Sequence, residues 1–324
     1  MKRVFLAWKN SCTRTHSQAQ HFGAQEIYIF PLDDRRSYTR MLFRYMLSFF
    51  LTLRVLYKEK PTIIFTLNQP PFLIAAVFLY SRLFRSRYVL DSHSGAFNDP
   101  KWSWFRPIYR QIAARAFLNI NTNQQHKTLV EKWGGRSEII SDVPIEHKNS
   151  FTVQELPERS IGVVASFSFD EPLAAIWEAA GKCPDVSFYV TGDHRRAPSP
   201  LLTDKPANIH LSGYLPTDAY FSLLASVKAV MVLTFRDQTM QRGGYEALSI
   251  QQPIITSDWA ILRESFGESA VYVQNDAESI AAGIREVLAN NAHYRKASAR
   301  QRDLRRKCFD HTKQIILSLI EQGR

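Results

Sequence analysis

Cysteine is scarce in this 324-residue chain: Cys12, Cys183 and Cys308 stand far apart, odd in number and without a C-x-x-C pair. That excludes a disulfide framework and a cysteine-built zinc site, and it fits a reducing compartment. Long apolar runs are also missing. The stretch Pro70–Tyr80 falls short of the ~20 residues that a bilayer crossing needs, and Met41–Tyr57 is interrupted by Arg44 and Arg54. The apolar run at the start, Val4–Trp8, stops at Lys9, too short for the core of a signal peptide, so the expectation is a cytoplasmic protein. Glycine and proline, at 13 and 15, follow no period, which excludes collagen-like and low-complexity chains.

Apolar material is plentiful, at 45% of residues, and the length predicts two domains. Charge divides unevenly between them. Residues 1–150 hold 22 Lys and Arg against 10 Asp and Glu, a net +12, while residues 151–324 hold 19 against 20, a net −1. A field confined to one half attracts an anionic partner. No helix-turn-helix, RNP-type or zinc-finger spacing is present, so nucleic acid is not expected. The basic, aromatic segment Met41–Tyr57, flanked by Arg35, Arg36, Arg40, Lys58 and Lys60, points instead to an anionic membrane surface.

Short apolar segments such as Arg3–Trp8, Thr62–Thr66, Arg87–Leu90 and Leu118–Asn121 read as buried strands, and helical patterns such as Ser37–Lys58 and Phe72–Leu83 fall between them. This alternation predicts βαβ units and a parallel sheet. It breaks over residues 142–159 and then resumes, which predicts a first domain over 1–150, a second over 151–308, and a terminal helix, 309–324, returning to the first.

The most informative segment is Leu233–Trp259. A strand ends at Leu233, a polar loop follows, Gly243–Gly244 opens a helix carrying Glu246, and a second strand, Pro253–Thr256, comes at once. A helix start of this kind offers free N–H groups and a positive dipole end to a phosphate, with Arg242 and Arg236 nearby. Glu246, read as lying in the first helical turn, is suited to accept hydrogen bonds from sugar hydroxyls. The same residues are equally ordinary capping chemistry.

The run Glu246-Ala247-Leu248-Ser249-Ile250-Gln251-Gln252-Pro253-Ile254-Ile255-Thr256-Ser257-Asp258 resembles the nucleotide-sugar motif of the GT-B glycosyltransferases of group 1, family 4-like type. The resemblance covers nearly the whole chain, through Ile161–Ala165, Tyr189–Asp193, His210–Tyr214 and Arg87–Gly95. It implies two Rossmann-like, doubly wound parallel-sheet domains with a cleft between them. It also implies a retaining hexosyl transfer from a UDP- or GDP-linked sugar to an acceptor hydroxyl, in surface polysaccharide or glycolipid synthesis at the inner face of a membrane. No permanent cofactor and no metal is expected. By resemblance Glu246 holds the ribose, Gly243 and Gly244 face the diphosphate, and Arg242, Tyr245, Arg236, Gln238, Thr239, Gly192 and Tyr214 complete the donor site. In the first domain, His93 and Asp91 are the catalytic candidates, one positioning the donor sugar and the other a base if one is needed. Two departures stand out. Gln238 replaces the first Glu of E-x7-E, and Ser166–Glu171 lacks the family's R-x-x-x-x-K clamp. A nucleotide-sugar epimerase of the same fold and a non-catalytic, membrane-associated binding module are the alternatives.

Overall fold

The computed structural model describes residues 1–31, 38–92, 95, 97, 100–142, 145, 151–197 and 199–322. The chain divides into two units, one made of Met1–Val143 with Phe309–Arg324 and the other of Pro144–Cys308. Each is built on a six-stranded sheet whose strand pairs are all parallel. Both sheets are covered on both faces, which is why their strands read as unbroken apolar runs.

In the first unit the strands are β1 (Arg3–Ala7), β2 (Gln25–Tyr28), β3 (Ile63–Leu67), β4 (Arg87–Ser92), β5 (Leu118–Asn121) and β6 (Ser137–Ile139), in the order β2-β1-β3-β4-β5-β6. Helices α2 (Tyr38–Glu59), α3 (Pro71–Phe84), α4 (Arg106–Ala114) and α5 (Gln124–Lys132) lie over one face, where Val4, Leu6, Ile64 and Leu90 meet Leu56, Leu73, Ile112 and Val130. The other face carries α1 (Thr13–Phe22) and the end of the last helix, whose Phe309, Ile316 and Ile320 join Phe5, Phe22 and Phe65 in a second core. Helix α4 is preceded by a 3-10 turn, Pro100–Phe105, and the chain becomes α-helical only at Arg106. Pro107 is the reason, since a residue without an N–H is accommodated in the first turn and nowhere deeper.

The second unit has β7 (Ser160–Val164), β8 (Ser187–Thr191), β9 (Ile209–Gly213), β10 (Ala229–Val232), β11 (Ile254–Ser257) and β12 (Ala270–Val273), ordered β12-β11-β10-β7-β8-β9. Counted from its own first strand this is 3-2-1-4-5-6, the dinucleotide-binding order, with its reversal between β7 and β10. The helices are α6 (Leu173–Gly181), α7 (Ser199–Thr203), α8 (Thr217–Ser226), α9 (Arg242–Ser249), α10 (Ala260–Phe266), α11 (Ala277–Ala289) and the long α12 (Asn291–Gln322). Asp276 caps α11 by accepting from the Ser279 N–H at 2.9 Å. The chain order of α12 is notable: it begins among residues of the second unit and ends among those of the first.

Candidate functional site

In open α/β sheets a ligand site forms outside the carboxyl ends of the strands where their order reverses. In the second unit those strands are β7 and β10, and the loops that follow them are tied together. The Phe235 N–H donates to the Asp170 carbonyl at 2.7 Å, and Arg236 Nε lies 3.3 Å from the Asp170 carboxylate. The Arg236 guanidinium also sits 4.8 Å from the centre of the Phe169 ring, which is 84% exposed. Glu171 closes the first loop on itself, its carboxylate accepting from the Ser166 and Ser168 N–H groups and from the Ser166 hydroxyl. The neighbouring strand end is fixed by Gly192. Its φ of +106° is open to glycine, and a Cβ there would stand 2.0 Å from the Ala165 carbonyl oxygen.

Helix α9 rises from the second loop with Arg242 as its first residue. Glu246 therefore falls in the second turn, not the first. It is half-buried, and both carboxylate oxygens are engaged: the Tyr220 hydroxyl on α8 donates to one at 2.6 Å, and Arg242 Nε lies 3.2 Å from the other. Burial, with Glu246 beside it, pushes the Tyr220 hydroxyl far above its ordinary pKa, so it remains a donor. The carboxylate is thus held in one orientation by side chains of two helices, as a hydrogen-bond acceptor.

Residues 166–290 match the family of glycosyl transferases group 1. No curated protein sequence matches the chain. Among solved structures, HepE of Anabaena in complex with UDP-glucose superposes with a TM-score of 0.74 at 13% identity, over 99% of this chain and all of that one. Sucrose-phosphate synthase from Thermosynechococcus elongatus gives 0.72 at 16% identity, covering 91% of this chain and 82% of its own. The E. coli trehalose-6-phosphate structure bound with UDP-2-fluoro glucose gives 0.72 at 11% identity, covering 98% of each chain. The fold is GT-B, and the segment that matches the group 1 glycosyl transferases lies in its second unit.

Within that segment several expected site residues also have structural roles. Gly243 and Gly244 are buried and do not line an open surface. A Cβ on Gly243 would come 2.8 Å from Val164, and one on Gly244 would come 2.4 Å from the Phe266 ring, so these glycines exist to seat α9 directly on β7, β10 and α10. The Gly244 N–H is already committed to the Gln241 carbonyl at 3.1 Å. Tyr245 points into the core against Phe266, and its hydroxyl accepts from Arg305 at 2.7 Å. Gln238 adopts a left-handed φ of 57° with its N–H on the Asp237 carboxylate, and Thr239 bonds the Asp237 carbonyl, so both shape the loop. Tyr214, 85% exposed, is open to a ligand. Four arginines of this unit that could replace the charge of the missing clamp are each paired with a carboxylate: Arg195 and Arg196 with Asp193, Arg236 with Asp170, Arg242 with Glu246. Among the described residues no cluster of His, Cys, Asp and Glu is arranged to hold a metal ion.

In the first unit, Asp91 is fully buried at the end of β4 and is not a base in waiting. Arg14 on α1 donates to it from Nε and Nη2, the shorter contact being 2.9 Å, and Gln18 adds a third hydrogen bond. Arg14 also reaches the Ile140 and Ser141 carbonyls, so the pair joins α1, β4 and the end of β6. Burial works against the Arg14 charge, and the Asp91 carboxylate outweighs it, leaving its pKa raised. His93 lies outside the described residues. Arg14, Asp170, Glu171 and Tyr220 were not among the expected residues. Each acts through a partner distant in sequence or through a loop turn that residue type alone does not announce.

Proposed function

We propose that this chain is a glycosyltransferase that moves a hexosyl group from a nucleotide-sugar donor to an acceptor hydroxyl, with the donor bound at the β7–β10 reversal of the second unit. The observation that carries this reading is the posture of Glu246, held by Tyr220 and Arg242 in the segment that matches group 1 glycosyl transferases. Ribose hydroxyls would donate to its carboxylate. The diphosphate would draw on Arg242 and Arg236, exchanging their carboxylate partners for phosphate oxygens, and on the α9 dipole. UDP is favoured as the nucleotide because the superposable HepE and E. coli structures hold UDP-sugars. The engagement of Asp91 by Arg14 favours a retaining course, which needs no dedicated protein base. The basic first unit would take a glycan or lipid-linked acceptor of polysaccharide synthesis, with the protein peripheral on the inner face of a membrane.

Calorimetric titration of UDP, GDP and their sugar conjugates tests the donor site. One nucleotide should bind saturably, and Glu246→Ala should weaken it by about 1–3 kcal/mol, the cost of leaving charged hydrogen bonds unmade. The fully paired arginines and the acidic Glu171 favour one competitor, a binding module without catalysis. Failure of every nucleotide to bind the unaltered protein would favour that competitor instead.

A further inference from the structure

Helix α2 is apolar on its outer side as well as where Leu56 packs into the core. Its inward side also carries buried polar residues, Arg44, Ser48 and Thr52, with Thr52 accepting from the Trp8 indole N–H at 2.9 Å. Its outward positions are apolar: Phe43, Met46, Phe50 and Tyr57 are 60%, 54%, 61% and 62% exposed. These residues recur at three, four and seven positions, so they form one stripe along the helix. Tyr57 meets Phe84 of α3 edge to face at 5.8 Å, and Phe84 and Leu83 carry the apolar surface onto the second helix. A helix that is apolar on its outer side and also packed on its inner side belongs in a core or against lipid.

The rim of this surface decides what covers it. Segments 38–60 and 71–87 contain eight Lys and Arg and a single acid, Glu59, which is joined to Lys2. Arg40, Arg54, Lys58, Lys60, Arg82 and Arg85 are all exposed. A second copy of the same face would bring like charges together, and a nucleic acid has no use for the apolar centre. A bilayer satisfies both parts: acyl chains take the aromatic stripe and anionic headgroups take the cations. Among the described residues no helix is long and apolar enough to cross a membrane, so the contact lies in the interface plane.

We propose that the α2–α3 face is a docking surface for membranes rich in anionic phospholipid, with Phe43, Met46, Phe50, Tyr57 and Phe84 inserted among the lipids and the flanking cations on the headgroups. This rests on the peripheral-membrane part of the reading above and assigns it to residues.

The test is flotation of the full-length protein with phosphatidylglycerol-containing vesicles against pure phosphatidylcholine vesicles. Binding should require the anionic lipid and fall with added salt. The pair Phe43→Ser with Phe50→Ser should lower it tenfold or more, and Arg54→Gln with Lys58→Gln about fivefold per charge removed. Circular dichroism of the same variants shows that they are folded, and UDP titration separates this proposal from the donor site, since either can fail while the other holds. Three results would overturn the proposal: no vesicle binding by the unaltered protein, equal binding to both lipids, or binding indifferent to Phe43→Ser with Phe50→Ser. Sedimentation without vesicles gives a fourth, a self-association that those serines abolish in a protein that ignores lipid.

Discussion

His126, on the first turn of α5, is buried and lies face to face with Phe97 at 4.2 Å, its own N–H bonded to the Asn123 side chain. Burial lowers its pKa from the ordinary 6.5 to about 4. The unfolded chain therefore takes up a proton between these values while the native ring does not, so stability falls as pH drops from 6.5 towards 4. The slope reaches roughly 1.4 kcal/mol per pH unit. Urea unfolding across that range should show it, and His126→Phe should flatten the dependence. Asp91 and Glu246 illustrate what a sequence discloses at this scale. The setting of Glu246 was legible because its neighbours in the chain form the motif. The use of Asp91 was not, because the guanidinium that occupies it stands 77 positions away.

At the scale of elements, most strands and helices were legible, because two-sided burial leaves a continuous apolar run in each strand and a 3.6-residue period in each helix. Less legible was the reason for the Gly243–Gly244 pair. A glycine pair at a helix start fits a phosphate site and a close packing contact equally well, and the packing became visible only in the positions of Val164, Val232 and Phe266. Packing makes a clear prediction. Gly244→Ala should cost about 1–3 kcal/mol by forcing α9 off the Phe266 ring, and it should weaken nucleotide binding too, because Glu246 rides on the same helix. A chemical denaturation curve paired with UDP titration measures both. A denaturation midpoint equal to that of the unaltered protein would remove the packing explanation. The apolar outer face of α2 was half visible in Met41–Tyr57, whose composition announced an unusual helix without saying which side faced outward.

For the whole molecule, the first unit is discontinuous in sequence. Its second core is completed by Phe309, Ile316 and Ile320 from the end of α12, the last two with no exposure at all. Ile316→Ala should cost about 2–5 kcal/mol, the usual range for a buried aliphatic side chain cut back to alanine. Proteolysis followed by mass spectrometry should then find new cleavage sites within 1–142, while sites within 160–290 stay protected. The uneven charge belongs to this scale as well: nearly all the excess cation sits in the unit that also bears the exposed aromatic stripe.

The discontinuity also sets an order of events during synthesis. Strands β1 to β6 leave the ribosome before the second unit, yet the part of their sheet that meets Phe309, Ile316 and Ile320 stays open until those residues emerge. The second unit, contiguous from Pro144 to Cys308, has all its core residues available sooner. Domains usually mature in the order they are made; here the half translated first is the half finished last, and its apolar sheet face stands open to chaperones throughout elongation.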